Sequence, residues 1–318
     1  MKLIMVLNDG ETHSPLRGCR ICEVPDSWGA DEILQGVLGN IEGLVEFFQF
    51  TESPTRPRPP QKFDFGEGPV PAHRHKNPDG SEGGWVADTA YVASSAHVGE
   101  NARVYGKAQV SGSARVTGTA RVSDSASVSD NALVYGDAYV ADRASMHGNA
   151  RASGSASVFG SARLFDDARV TVNASVYGDA RLSGNARLSG NARLSGNARL
   201  YGDAHVYGDA RLYGDARVSG NACVFGNACV FGNACVFDNA RVTGSACVFG
   251  SACVFEKADV FGKAVVKGEA NVFGDSNVYD NAHVCDNACV GGDAYVFGNV
   301  IVSDCAIVTS HVSEGTFT

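Results

Sequence analysis

The chain has 318 residues and a formal net charge of −9, with 26 Lys and Arg against 35 Asp and Glu. That acidic balance argues against a general nucleic-acid binder relying on a broadly basic surface, so nucleic acid is not the expected partner. Residues 1–7 hold one Lys and a brief apolar run before Asn8-Asp9-Gly10, too short for a signal peptide or a membrane span. A cytoplasmic protein without membrane insertion is expected, with a virion or other assembled surface structure as the alternative.

In chain order, residues 2–7 and 19–24 predict strands around an Asn-Asp-Gly turn. Residues 31–41 carry helical spacing at Ile33, Leu34, Val37, Leu38 and Ile41, and residues 44–50 read as a further strand. Together, 1–50 predict a small ββαβ head, an α+β domain. Residues 51–84 turn to Pro, Gly and charge, with Pro54, Pro57, Pro59, Pro60, Pro69, Pro71 and Pro78. Such a stretch predicts an extended linker without a core of its own.

From Val86 to Val308 a six-residue unit repeats without insertion or deletion, giving 38 aliphatic positions six apart. Ala recurs at 90, 96, 102 and onward to 306, departing only at Ser276 and Val300; Val or Leu follows two places later, except at Met146 and Ala152. A fixed period marks a solenoid whose units cannot bury their apolar faces alone. Ala-x-Val is the period-2 pattern of a short strand with one buried face, and the Gly, Asn and Asp that follow are turn chemistry. No proline occurs after Pro78, as continuous strand pairing requires. A β-solenoid over 85–312 is therefore expected, Trp85 covering its first coil and 313–318 forming a polar tail.

Units of the Val104-Tyr-Gly-Lys-Ala type resemble the hexapeptide-repeat superfamily, with a corner glycine one place later than that family often has it. The resemblance implies an all-β left-handed triangular parallel β-helix with three hexads per coil. At about 4.8 Å per strand, the 38 hexads would make a prism roughly 60 Å long. It also implies a candidate activity, acyl transfer from an acyl-CoA-type donor with a general-base His, often in a homotrimer. His97, His147, His205 and His283 lie far apart in the repeat, and no inserted loop accompanies any of them. A three-histidine zinc site of the γ-carbonic-anhydrase kind would need ligands that converge, and no two of these share a coil.

Other candidates come from the residues. Cys19-Arg-Ile-Cys22 could join His73 and His75 as zinc ligands, although residues three apart on a strand point to opposite faces. Most repeat cysteines take the outward place, Cys235 and Cys253 falling eighteen apart, as do Cys229 and Cys247. Many exposed thiols suit a reducing compartment. Arg163, Arg181, Arg199 and Arg217 also fall eighteen apart and predict a cationic ladder for a polyanion, with shorter rows at Arg169 and Arg187 and at Arg193 and Arg211. Asp167, Asp179, Asp209 and Asp215, two residues before an Arg, are expected to neutralise part of this charge. Phe237, Phe255 and Phe273 form an aromatic series that either stacks from coil to coil or makes an apolar contact stripe.

These observations favour a non-catalytic structural or binding rod, with a protein partner or self-association, and no cofactor, metal or catalytic residue assigned. The alternatives are an acyltransferase-like enzyme with a site between subunits, and polyanion binding along the arginines.

Overall fold

Side chains two apart share one face of a strand, so Ala186 and Leu188 turn inward while Arg187 turns out. The computed structural model describes residues 61–318. Chain contacts divide the molecule between Pro59 and Pro60, and the described residues belong to the second unit, Pro60–Thr318. The expected ββαβ head, Cys19, Cys22 and the first part of the expected linker lie outside the described residues.

The repeat forms a β-solenoid of parallel strands. Every hexad gives a two-residue strand and a corner, and three hexads close a coil with one strand on each of three faces, in sheets of 16, 13 and 12 strands. Register advances by eighteen residues: Arg187–Leu188 pairs with Arg169–Val170 on one side and His205–Val206 on the other. Stacking also satisfies the corners, since Arg187, Ser189 and Asn191 donate their N–H groups to the carbonyls of Ala204, Val206 and Gly208, at 2.9, 3.0 and 2.8 Å. Among the described residues every named element is a strand.

The interior is a dry column in which Ala and aliphatic residues from Ala96 to Val302 are at most 1 % exposed. Its two irregular units offset one another, because Met146 and Ala152 fall in the same coil, a large side chain beside a small one. Ser276 stands in an alanine place at no polar cost, its hydroxyl donating to the Phe273 carbonyl at 2.6 Å.

Corners require positive φ. Gly190 has φ 72°, and a Cβ there would come within 2.9 Å of the Gly208 backbone, so glycine meets the conformation and the close approach with least strain. Where Asp takes this place its carboxylate adds a bond: Asp142, at φ 58°, accepts the N–H of Gly160, eighteen residues on, at 2.9 Å. Val172 sits at φ 65° with its side chain exposed, a β-branched residue in a conformation that disfavours it.

Both ends depart from the repeat. Residues 61–84 were expected to continue the linker, yet β1 (Lys62–Asp64), β2 (Pro69–Lys76) and β3 (Glu82–Ala87) form an antiparallel set, and β3 leads into the first face. Pro69 and Pro71 fit because β2 meets the short β1 near the sheet's edge, where a missing N–H is tolerated. Asn77 then acts as a substitute strand: its side-chain oxygen accepts the Val98 N–H at 2.9 Å and its amide donates to the Val98 carbonyl at 3.2 Å. The Arg74 guanidinium donates to the Gly83 and Glu100 carbonyls. Trp85 does not cover the first coil; it points outward beside Arg103, stacked with Phe63 at 4.7 Å and facing the Arg74 guanidinium at 5.0 Å. At the other end Val312 bridges to Val296, and Thr316–Phe317, within the expected tail, pairs with Ile301–Val302 on the first face.

Candidate functional site

The outward place of each strand is where the sequence varies, and in-register stacking sets like on like. Arg163, Arg181, Arg199 and Arg217 stand in one unbroken row on the second face, all exposed. Like charges directly opposite each other repel, so this row favours an anion beside it. The shorter rows also form, Arg169 with Arg187 on the third face and Arg193 with Arg211 on the first. The expected neutralisation by aspartates does not: among the described residues no ion pair joins these arginines to a carboxylate. The reason is visible at two of them, where Asp209 and Asp215 accept the side-chain amides of Asn191 and Asn197 one coil earlier, both at 3.0 Å.

Beside each face, at the corner, runs a column of aromatic rings. Phe237, Phe255 and Phe273 stack in order, with centroids 5.0 and 5.4 Å apart and planes within 11°. Tyr213, Phe231 and Phe249 repeat this arrangement at 4.8 and 4.7 Å, and Phe261, Tyr279 and Phe297 at 4.8 and 5.1 Å. The Phe237 series is thus a stack, each ring half-buried between its neighbours with one edge left open.

The second-face column is interrupted beside the arginines. Phe165 stacks on His147 at 5.3 Å, Ser183 follows where a ring would stand, and Tyr201 comes next, 41 % exposed. The interruption leaves a cavity of about 280 Å³ lined by Phe165, Arg181, Ser183, Arg199, Leu200, Tyr201 and Arg217. Sequence reading found the arginines but not this gap, because Ser183 looks like every other corner serine until the chain is written in rows of eighteen.

A second, open groove of about 620 Å³ follows a corner at Asp238, Glu256, Lys257, Asp275 and Asp293. Its acids serve the corner: Asp238 accepts the Glu256 N–H at 3.3 Å, Glu256 accepts the Gly274 N–H at 2.7 Å, and Asp275 lies 3.5 Å from the Lys257 ammonium.

The histidines stay dispersed. His147 belongs to the aromatic column, while His97 and His205 stand far apart on the third face beside Arg115 and Arg187, and His283 stands on the first face beside Val265. His73 and His75 are used by the N-terminal cap: His73 pairs with Asp88 at 2.9 Å, and buried His75 donates to the Ala96 carbonyl at 3.1 Å. Burial holds the His75 imidazole below its ordinary pKa, the bond to Ala96 partly opposing it. Among the described residues no group of three or more His, Cys, Asp or Glu is placed to hold a metal ion.

Cys229 faces Cys247 and Cys235 faces Cys253 across one coil, as the spacing predicted, and all four are free thiols. The neighbouring Cys253 thiol pulls Cys235 down to about 6 against the effect of burial, with Arg217 adding to the shift. The same closeness to Cys235, together with burial, pushes Cys253 up. Cys247 is raised by burial and by the neighbouring Cys229.

Comparison with known proteins gives two findings. A family model described as YdcK beta solenoid repeat matches residues 210–224. A crystal structure of UDP-N-acetylglucosamine O-acyltransferase from Moraxella catarrhalis RH4 aligns at 13 % identity and a TM-score of 0.30, covering 68 % of this chain and 66 % of that one, just under two thirds of its length. No curated protein matches. Among the described residues no helix is long and apolar enough to cross a membrane. The register of strands and the buried Ala and Val columns identify residues 86–308 as a hexapeptide-repeat β-solenoid.

Proposed function

We propose that this chain is a non-catalytic structural or binding rod, a spacer, scaffold or assembly element that meets a protein partner or further copies of itself, a homotrimer among them. One observation carries the reading: stacking sets Arg over Arg, Cys over Cys and Phe over Phe, along an interior of alanine and aliphatic columns. Catalysis draws different groups from separate segments onto one reacting atom, whereas this surface repeats single chemistries along lines. Lines suit an extended contact. The open edges of Phe237, Phe255 and Phe273 offer an apolar row, and Arg163, Arg181, Arg199 and Arg217 a cationic one.

Turnover decides between this reading and an acyltransferase. The full chain is incubated with acetyl-CoA and a panel of amine and hydroxyl acceptors, and free thiol is followed. The rod reading expects release no faster than buffer; transfer that disappears on replacing a single histidine would overturn it. Sedimentation velocity across concentrations tests the contact row. A Phe255→Ser variant is expected to shift the chain toward a smaller species, and an unchanged mass distribution removes that row from the interface.

A further inference from the structure

The aromatic columns show what a filled corner looks like. In three separate places three rings occupy three successive coils, with centroid spacings of 4.7 to 5.4 Å. At Phe165, Ser183 and Tyr201 the first and third rings are present and the middle one is replaced by a hydroxymethyl group. Two strand spacings, about 9.6 Å, separate the flanking corners, so a ring midway would lie about 4.8 Å from each neighbour. That is the spacing the protein's own stacks already use.

Three other single interruptions stand in these columns, at Ser195, Ser219 and Thr243, and two of them are closed. Between Tyr177 and Tyr213, Ser195 is only 9 % exposed. Between Phe225 and Phe261, at Thr243, the Arg241 guanidinium lies over the Phe225 ring at 5.7 Å. The interruption at Ser183 is open, and beside it Arg181, Arg199 and Arg217 pair with no carboxylate among the described residues. The cavity therefore joins an unfilled stacking position to a row of exposed guanidinium groups.

We infer that this cavity is a binding site for a small molecule made of a planar aromatic ring joined by a short polar linker to an anionic group, the chemistry of a nucleotide or an aromatic phosphate. The ring completes the stack between Phe165 and Tyr201, and the anion accepts charge-assisted hydrogen bonds from Arg181, Arg199 or Arg217. Ser183 adds a hydroxyl at the ring edge. Neither half suffices alone: the arginine row by itself offers screened surface charge, and the ring slot by itself offers stacking without orientation. The site stands whether or not the rod reading does, since binding here involves no bond-breaking step.

The test uses the full chain and adenosine 5′-monophosphate as probe, followed by saturation-transfer NMR and calorimetry at low salt. Ser183→Phe supplies the missing ring from the protein and is expected to lower affinity at least tenfold. Ser129→Phe, on the same corner but away from the arginines, is expected to leave it unchanged. Arg199→Ser is expected to weaken the monophosphate but not adenosine, and inorganic phosphate to compete poorly. Absence of probe binding overturns the site, as does equal binding by Ser183→Phe, and as does inorganic phosphate matching the monophosphate, which would reduce the site to the arginine row alone. Acyl transfer from acetyl-CoA would sink the rod reading and leave these outcomes untouched, because turnover and not binding is its measure.

Discussion

The N-terminal cap and the repeating body solve one problem by opposite means. In the body strands pair in register eighteen residues apart and strand and corner N–H groups meet carbonyls of the next coil, so any coil can stand for another. At the cap no further coil exists, and the open groups of Val98, Gly83 and Glu100 are met by the side chains of Asn77 and Arg74, residues with no counterpart in the repeat. Repetition thus gives stability by stacking, while termination needs singular residues. Damage should follow the same division, striking a whole neighbourhood of coils in the body and only the outermost coil at the cap.

The largest expected effect is in the body. Leu188 is fully buried between Val170 and Val206, and Leu188→Ala should cost about 2–5 kcal/mol through lost burial and a residual cavity. Hydrogen exchange should quicken on both sides of that coil; protection lost in the terminal coil instead would break the comparison. Asn77→Leu leaves both the N–H and the carbonyl of Val98 without partners, at a cost of about 1–3 kcal/mol. There the added exchange should be confined to residues near 77–98, the body unchanged.

Val172→Gly should act in the opposite direction. Relief of the positive φ is expected to raise stability by about 1 kcal/mol, read as a higher urea midpoint at unchanged slope. An unchanged or lower midpoint would mean that the corner carries no strain. The smallest effect is the pH response of the cap. His75 is held below its ordinary pKa of about 6.5, chiefly by burial. Between its folded and unfolded values the unfolded chain binds more protons, so this contribution is complete above pH of about 6.5 and lost as pH falls. Melts between pH 8 and 5 should show the first coil loosening in acid, and His75→Gln should flatten that slope.

Legibility in the sequence divides along the same line. The period, the buried columns and the eighteen-residue spacing of Arg163 to Arg217 and Phe237 to Phe273 could be read because repetition multiplies a weak local signal, while the three-hexad coil that turns that spacing into rows came from the family resemblance. The strands over residues 62–87 could not, because prolines at 69 and 71 and adjacent glycines at 83 and 84 look like a linker unless the pairing of β2 with the short edge strand β1 and the close packing of Gly83 and Gly84 are known. Gly84 shows the difficulty, since a Cβ there would come within 2.1 Å of the Ala102 carbonyl, a contact eighteen residues away. The expected Asp–Arg neutralisation missed for a related reason. Proximity along the chain suggested a partner, while the neighbour one coil back had already claimed Asp209 and Asp215.

Both terminal pieces attach to the same sheet, β1 to β3 at one end and Thr316–Phe317 at the other. Inserting or losing one hexad would carry the distal lid round by a third of a turn onto a face with different side chains. Evolutionary growth or shrinkage of this molecule is therefore quantised: three hexads together slip in unnoticed, whereas one or two leave the closing strand facing the wrong edge.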